Sequence, residues 1–571
     1  PGSPTGISFG HHSNFPETYQ DKLFICDWTF GTIFTVDMEE DGASYTGTKT
    51  EFLHGTPLNI AAMRFGPDGH MYFLVGGRNT ASKLYRVRYT GPPRPGPGKD
   101  LTAHQSLRDL RRGLEAYHGV SGISRVRQDH LEAIDAAWPH LSHPDRHIRY
   151  AARLAIENQN VLWWKGRLEK ETHPRAIIYG AMALCRTPEG VWTSAGGVEA
   201  LSAMVLHRLN GVPFESLSFE DRLALLRTYS LCFIRLKPPS DKQAASVIRK
   251  LDPFYPAEEE ALNTELCRVL AFLDAPSVVA KTMDLMKTTE SKTLAYDKEM
   301  LARHEYGKEI LKTMANTPNR QNIQYAYSLR RVGKGWTLDD RKTYFSWLKE
   351  TLTKSGGKSF AGSIRAIRED AIDHLAEEDA AAISWLLGDV VAVDLSSLPM
   401  AEGPGVAWTV DSAMKLFDTE LTGRDFGNGK KMFSAGRCVA CHRFQGSGGY
   451  SGPDLGSVAR RYSMRDILTA ICEPSHSISE QYQASEVTLE NGTKLFGRVI
   501  YQNDDEIAVA ENPYDFAEVT KVERTKVKKI EPSQVSMMPP GTVFPMNGDE
   551  LKDLLAYLVS GGDRKHKVFK K

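Results

Sequence analysis

Over its first ninety or so residues the chain alternates apolar and polar positions in short runs. "KLFICDWTF", "GTIFTVDME", "AAMRFGPDGHMYFLVGG" and "SKLYRVRYTG" are rich in β-branched and aromatic residues, with Gly, Asp and Asn between them. Pro67-Asp68-Gly69 reads as a hairpin turn. Regular short strands of this kind predict propeller blades. Each blade takes four strands and about 40–50 residues, and closure needs about four blades. Residues 1–91 supply two blades at most, so the expectation is the C-terminal part of a propeller, completed by an upstream segment or a separate chain.

From 102 to 400 the period changes. "HQSLRDLRRGLEAY", "VRQDHLEAIDAAW", "HPDRHIRYAARLAIEN", "HPRAIIYGAMALCR" and "QNIQYAYSLRRV" each gather apolar residues on one helical stripe. Two of them open with His-Pro, which places a proline near the first turn. Helices of about 12–18 residues recurring loosely every 35–45 or so predict stacked helical pairs of the HEAT type. One large irregular helical domain is the alternative. A Pro/Gly-rich linker, 92–101, separates this zone from the strands, and a softer one, 401–423, follows it. The last zone, 424–565, is helical at both ends, with alternating strands inserted at about 484–531. The basic run at 566–571 reads as a frayed, solvated tail.

Composition narrows the function classes. The 571 residues are enough for about three domains. Lys+Arg and Asp+Glu balance at 71 each, so no basic field points to nucleic acid. No run approaches about 18 apolar residues, so no transmembrane segment is expected. Seven cysteines are too few for a disulfide framework, and Cys185, Cys232 and Cys267 sit in apolar helical runs that read as buried thiols. His11 and His12 in "GHHSNF" are candidates for a metal or quinone site in a propeller channel, although a surface loop is the simpler reading.

The chemistry lies in "SAGRCVACHRFQGSGGYSGPDLG". Cys-x-x-Cys-His is the attachment signal for c-type haem. Cys438 and Cys441 are one helical turn apart and present both thiols on one face to the two vinyl groups. His442 follows as the proximal iron ligand. Chance gives roughly 0.003 such matches in a chain of this composition. A zinc site would want a second Cys/His pair, and only Cys472 follows. A sixth ligand is expected from "SMMPPGTVFPMNGDELKDLLAYL": Met538 before two prolines, with Met537 and Met546 as fallbacks. Arg460 and Arg461 are candidates for pairing with a haem propionate.

With these motifs in view, residues 424 to 562 resemble a class I cytochrome c domain. Gly429, Phe433 and Tyr557 fit that family's crossing of N- and C-terminal helices, and Gly452, Pro453 and Leu455 fit its proximal loop. "GPDLGSVARRYSMRDILTAICEPSHSISEQY" resembles the haem-binding domain of planctomycete and verrucomicrobial multidomain cytochromes, which carries a β insertion matched by "VTLENGTKLFGRVIYQNDDEIAVAEN". "LFICDWTFGTIFTVD" and "GGRNTASKLYRVRYTG" resemble those proteins' membrane-bound-dehydrogenase-like propeller, and "WPHLSHPDRHIRYAARLAIE" their helical repeats.

The fold expected is therefore multidomain: a partial all-β propeller, an α-helical HEAT-like solenoid, and a mostly α cytochrome c domain with a β insertion. The resemblance implies one haem c and electron transfer to a redox partner protein, a soluble cytochrome or an oxidase. It further implies a sugar or alcohol dehydrogenase in which an upstream propeller holds a quinone (PQQ) and Ca²⁺. A non-enzymatic electron-transfer and docking scaffold is the alternative. Haem attachment at this motif takes place outside the cytoplasm, so a periplasmic or otherwise exported location is expected.

Overall fold

A computed structural model describes residues 3–11, 13–55, 58–77, 80–92, 102–118, 127–188, 192, 196–289, 317–352, 354, 360–387, 395–417, 421–445, 447–449, 451–456, 458–502, 505–514, 516 and 518–570. The Pro/Gly linker at 93–101 and His12 lie outside the described residues. The chain is multidomain, with N-terminal strand sheets, central helices and a C-terminal unit that holds the haem motif.

Strands β1 (Pro4–Phe9), β2 (Leu23–Asp27), β3 (Thr32–Asp41) and β4 (Ser44–His54) form an antiparallel sheet in sequence order. β5 (Ile60–Phe65), β6 (Met71–Gly77) and β7 (Thr80–Val87) form a second. Alternation works as strand geometry requires: Phe24 and Cys26 of β2 share one face and are fully buried. They pack with Ile33, Ile60, Met63, Met71 and Phe73 into one core that joins the two sheets.

In the central zone alternate helices stack from Arg146 to Phe272, and a later helix continues the stack. Helix Arg146–Glu157 packs on Pro174–Arg186, which packs on Phe219–Arg235, which packs on Glu260–Phe272, which packs on Arg320–Leu329. One continuous apolar core runs from Leu114 to Leu386. Side chains close the helix starts: Asp145, Ser218, Asn319 and Thr337 each accept bonds from first-turn backbone N–H groups. The two His-Pro pairs differ. Pro174 is the first helical residue, as the pattern predicts, but Pro144 precedes the cap because Asp145 takes that role.

The β3–β4 turn is fastened to the helices. Asp145 Oδ1 caps its helix while Oδ2 accepts the Ala43 N–H at 2.7 Å. Arg111 donates to the Ala43 carbonyl at 2.6 Å, and Arg108, almost fully buried, pairs with Glu40 of β3 at 2.6 Å.

In the C-terminal unit, helix Phe426–Ala435 crosses helix Gly548–Val559. Gly429 lies at the crossing, where a Cβ would meet the Asp553 carbonyl at 2.3 Å, so only glycine lets the backbones approach this closely. Tyr557 meets Phe433 and Phe444 edge-on, at 6.0 and 4.9 Å between ring centres. Between these helices come a two-residue pair, β8 (Arg443–Phe444) and β9 (Ser447–Gly448), then helix Met464–Cys472. The inserted strands β10 (Ser485–Leu489), β11 (Lys494–Gln502), β12 (Glu506–Ala510), β13 (Thr520–Glu523) and β14 (Val527–Pro532) form an antiparallel sheet in the order β13-β12-β11-β10-β14.

The basic tail departs from expectation. Val568 is buried, Phe569 meets Phe426 edge-on, and the backbone carbonyls of Val568 and Lys570 accept bonds from Arg424 and Gly423. The two apolar residues within the lysine run anchor it.

Candidate haem-binding site

Local backbone bonding builds the attachment turn. Arg437 takes a left-handed conformation at φ 58°, ending one helix so that the next begins at Cys438. The Ala440 N–H bonds to the Arg437 carbonyl and the His442 N–H to the Cys438 carbonyl, closing one turn over Cys438–Cys441. Both thiols and the His442 ring therefore border the same cavity, of about 770 Å³. That volume suits a single sizeable cofactor.

Each candidate ligating group has a different setting. His442 Nδ1 lies 2.8 Å from the Pro453 carbonyl, and since a carbonyl only accepts, Nδ1 carries the proton. Nε2 is left with its lone pair, the form a metal requires. Burial holds the ring below its ordinary range against the opposing pull of the Pro453 bond and Asp454, which favours that neutral form. Gly452 leaves room for the ring: a Cβ there would come within 2.7–3.1 Å of three imidazole atoms. Burial pushes the Cys438 thiol up to about 12 and raises Cys441 as well. In the haem-bearing protein these sulfurs would be thioethers, which carry no charge, so an apolar setting suits them.

Met537 and Met538 also line the cavity. The Met538 N–H bonds to Ser536 Oγ and the Ser536 N–H to Ser475 Oγ, which ties this loop to the segment after helix Met464–Cys472. Thr542 Oγ1, also on the wall, is buried without a partner among the described residues. The donor set of one bare imidazole nitrogen, two sulfurs in an apolar turn and two thioethers thus fits a c-type haem.

The remaining expected residues fall in different places. Pro453 is on the wall and supplies the carbonyl that orients His442. Met546 is buried in the core, its carbonyl taken by the Trp408 indole and its methyl packed near Gly436, and it does not border the cavity. As a fallback ligand it is set aside, because the helix contact claims its side chain. Arg460 and Arg461 belong to the short helix Val458–Arg461, but their side chains lie outside the described residues. The described arginines on the wall are Arg437 and Arg465, the latter paired with Asp411 at 3.1 Å. His11 stacks on Phe9 and pairs with Asp21 at 3.5 Å on the surface. Sequence reasoning missed Pro513, Tyr514 and Phe516, which the inserted sheet brings to the wall. The "NPY" turn at 512–514 was a visible signal for a loop, but not for its destination.

Residues 426–508 match the family model for cytochrome c. The C-terminal unit contains a class I c-type cytochrome domain, and haem-based electron transfer is the chemistry it supports. The match begins at the first helix of the cytochrome domain, takes in the attachment turn and stops within β12, so the methionine loop and last helix fall beyond it. A search of curated proteins finds no match to the chain. Among the described residues no helix is long and apolar enough to cross a membrane.

Proposed function

We propose that this chain relays single electrons through one haem c, which Cys438 and Cys441 would hold covalently and His442 and Met538 would ligate. The observation that carries the reading is the His442 ring, proton fixed on Nδ1 by Pro453, in one cavity lined also by Cys438, Cys441, Met537 and Met538. Bound there, the haem would supply the one-electron couple; the chain's residues hold it, exclude water and set its potential. With His442 and Met538 both holding the iron, the haem would supply electron transfer rather than oxygen or substrate activation. Met538 is preferred to Met537 because the prolines after it stiffen the loop.

The wider setting we infer is a periplasmic sugar or alcohol dehydrogenase of the planctomycete and verrucomicrobial multidomain type. Its propeller, completed by chain or partner outside these residues, would hold PQQ and Ca²⁺ and pass substrate electrons to the haem. Tethering donor and acceptor makes that transfer intramolecular. The four-stranded sheet in sequence order supports the blade assignment, as does the outer face of the second sheet, where cross-strand partners Leu74 and Leu84 are exposed as if awaiting another blade. The stacked helices support a HEAT-like reading. An exported location follows from where such haem is attached. Adding sugars and alcohols, with PQQ and Ca²⁺, to the oxidised intact protein tests the enzyme: prompt appearance of the ferrous α-band supports it. Silence across a broad panel, with binding to a redox partner, favours the scaffold reading, which the long helical stack beside the haem unit also fits.

A further inference from the structure

The two attachment sulfurs are covered by different parts of the chain. Cys438 is enclosed by the cytochrome helices themselves: its sulfur lies 3.8 Å from the Gly436 carbonyl, with the Met546 methyl packed beside the same glycine. Cys441 instead meets the insertion. Its thiol donates to the Pro513 carbonyl at 3.3 Å, across 72 residues of sequence, and Tyr514 and Phe516 continue the wall.

This wall is held firmly. The Tyr514 N–H bonds to Asn512 Oδ1 at 3.0 Å, the Asn512 amide to Glu518, and the Thr520 hydroxyl of β13 to Glu511 at 2.7 Å. Arg498 of β11 places its half-buried guanidinium 5.5 Å from both the Tyr482 and Phe516 rings, bracing the loop against the turn that leads into β10. Burial and the neighbouring Cys441 raise the Tyr514 phenol, in keeping with an apolar contact. The sheet's own core is Val487, Ile507, Val509 and Val522, none of which lines the cavity.

We propose that the inserted sheet is the shield of the Cys441 edge of the haem site, with Tyr514 as the residue that excludes water there. The inference rests on the haem reading above. Water stabilises the more highly charged ferric state, so excluding it favours ferrous iron and raises the reduction potential. It also closes this edge to small reagents, so that electrons must be exchanged elsewhere on the cavity's rim.

Two measurements on the full-length chain test it. In the haem-free protein, Tyr514→Ala should raise the rate of Cys441 alkylation by iodoacetamide about tenfold, with Cys438 unchanged as read by peptide mapping. In the haem-bearing protein the same variant should lower the ferrous-to-ferric ratio at a fixed poise by up to about tenfold, equivalent to about 59 mV for a one-electron couple. Tyr514→Phe should leave both near wild type. Phe516→Ala carries the same two readouts should Tyr514→Ala not fold. Alkylation and potential both within twofold of wild type would overturn the shield. A wild-type chain that never binds haem would overturn the haem reading alone, since the alkylation arm still decides whether the sheet covers Cys441.

Discussion

Cys185, Cys232 and Cys267 have no exposed surface and sit in the continuous core of the helical zone, whereas Cys438 and Cys441 border a void. Burial raises the thiol of Cys267 just as it raises those of Cys438 and Cys441. A perturbed thiol therefore does not separate structure from function in this chain. What separates them is the space beside the sulfur. In the helical zone, neighbouring side chains fill it; in the cytochrome domain, helices, the methionine loop and the inserted sheet are all held back from it.

The sharpest way to break the comparison is to exchange the two kinds of site. Cys438→Ala with Cys441→Ala should abolish covalent haem completely, read as loss of haem stain on a denaturing gel. Cys267→Ala should leave the stain at wild-type intensity. Next in size is the core itself. Trp164→Ala empties a fully buried position and should cost the helical zone about 3–5 kcal/mol in denaturant unfolding, with the haem spectrum unchanged. Met538→Ala should lower the potential by at least about 59 mV and let added imidazole bind the iron, whereas Met537→Ala should do neither.

A pH effect sharpens the contrast from the helical side. Lys250 donates to the Leu209 carbonyl at 2.6 Å, and burial pulls its ammonium down to about 8, against the weaker opposing pull of Glu215. Below about pH 8 the group is charged in both folded and unfolded chains, and the burial penalty is fully present. Between that value and the ordinary 10.5 the folded chain releases its proton first, so stability rises with pH, by about 1–3 kcal/mol over the window. Lys250→Met should flatten that rise in denaturant midpoints taken at pH 7.5 and 9.5 or so. The smallest effect belongs to Asp145: replacing it with Ala should cost about 1 kcal/mol through the lost helix cap and free the Ala43 N–H, seen as faster hydrogen exchange there.

What could be read from sequence follows the range of the interactions. The attachment turn is local: Cys438, Cys441 and His442 are set by spacing within one helical turn, and the spacing alone pointed to the cofactor. The helical stack was visible because its amphipathic stripe repeats. The sixth ligand was only narrowed, since Met537 and Met538 share the wall and adjacent residues carry no periodic signal to divide them. Met546, the second fallback, is buried in the core and not among the cavity-lining residues, a placement that packing decides and spacing does not. Pro513 and Tyr514 were invisible as site residues because their reach to Cys441 depends on sheet pairing far along the chain. The tail was misjudged because its lysines outnumber Val568 and Phe569, the two residues that decide its fate.

Arg443, the residue directly after the imidazole, reaches out of the cytochrome domain to donate to the Lys354 carbonyl at 3.2 Å, just past helix Leu338–Thr351. The helical array and the haem motif are thus hydrogen-bonded through the residue next to His442. That bond gives the two zones a shared contact beside the haem motif, one that Arg443→Ala would remove.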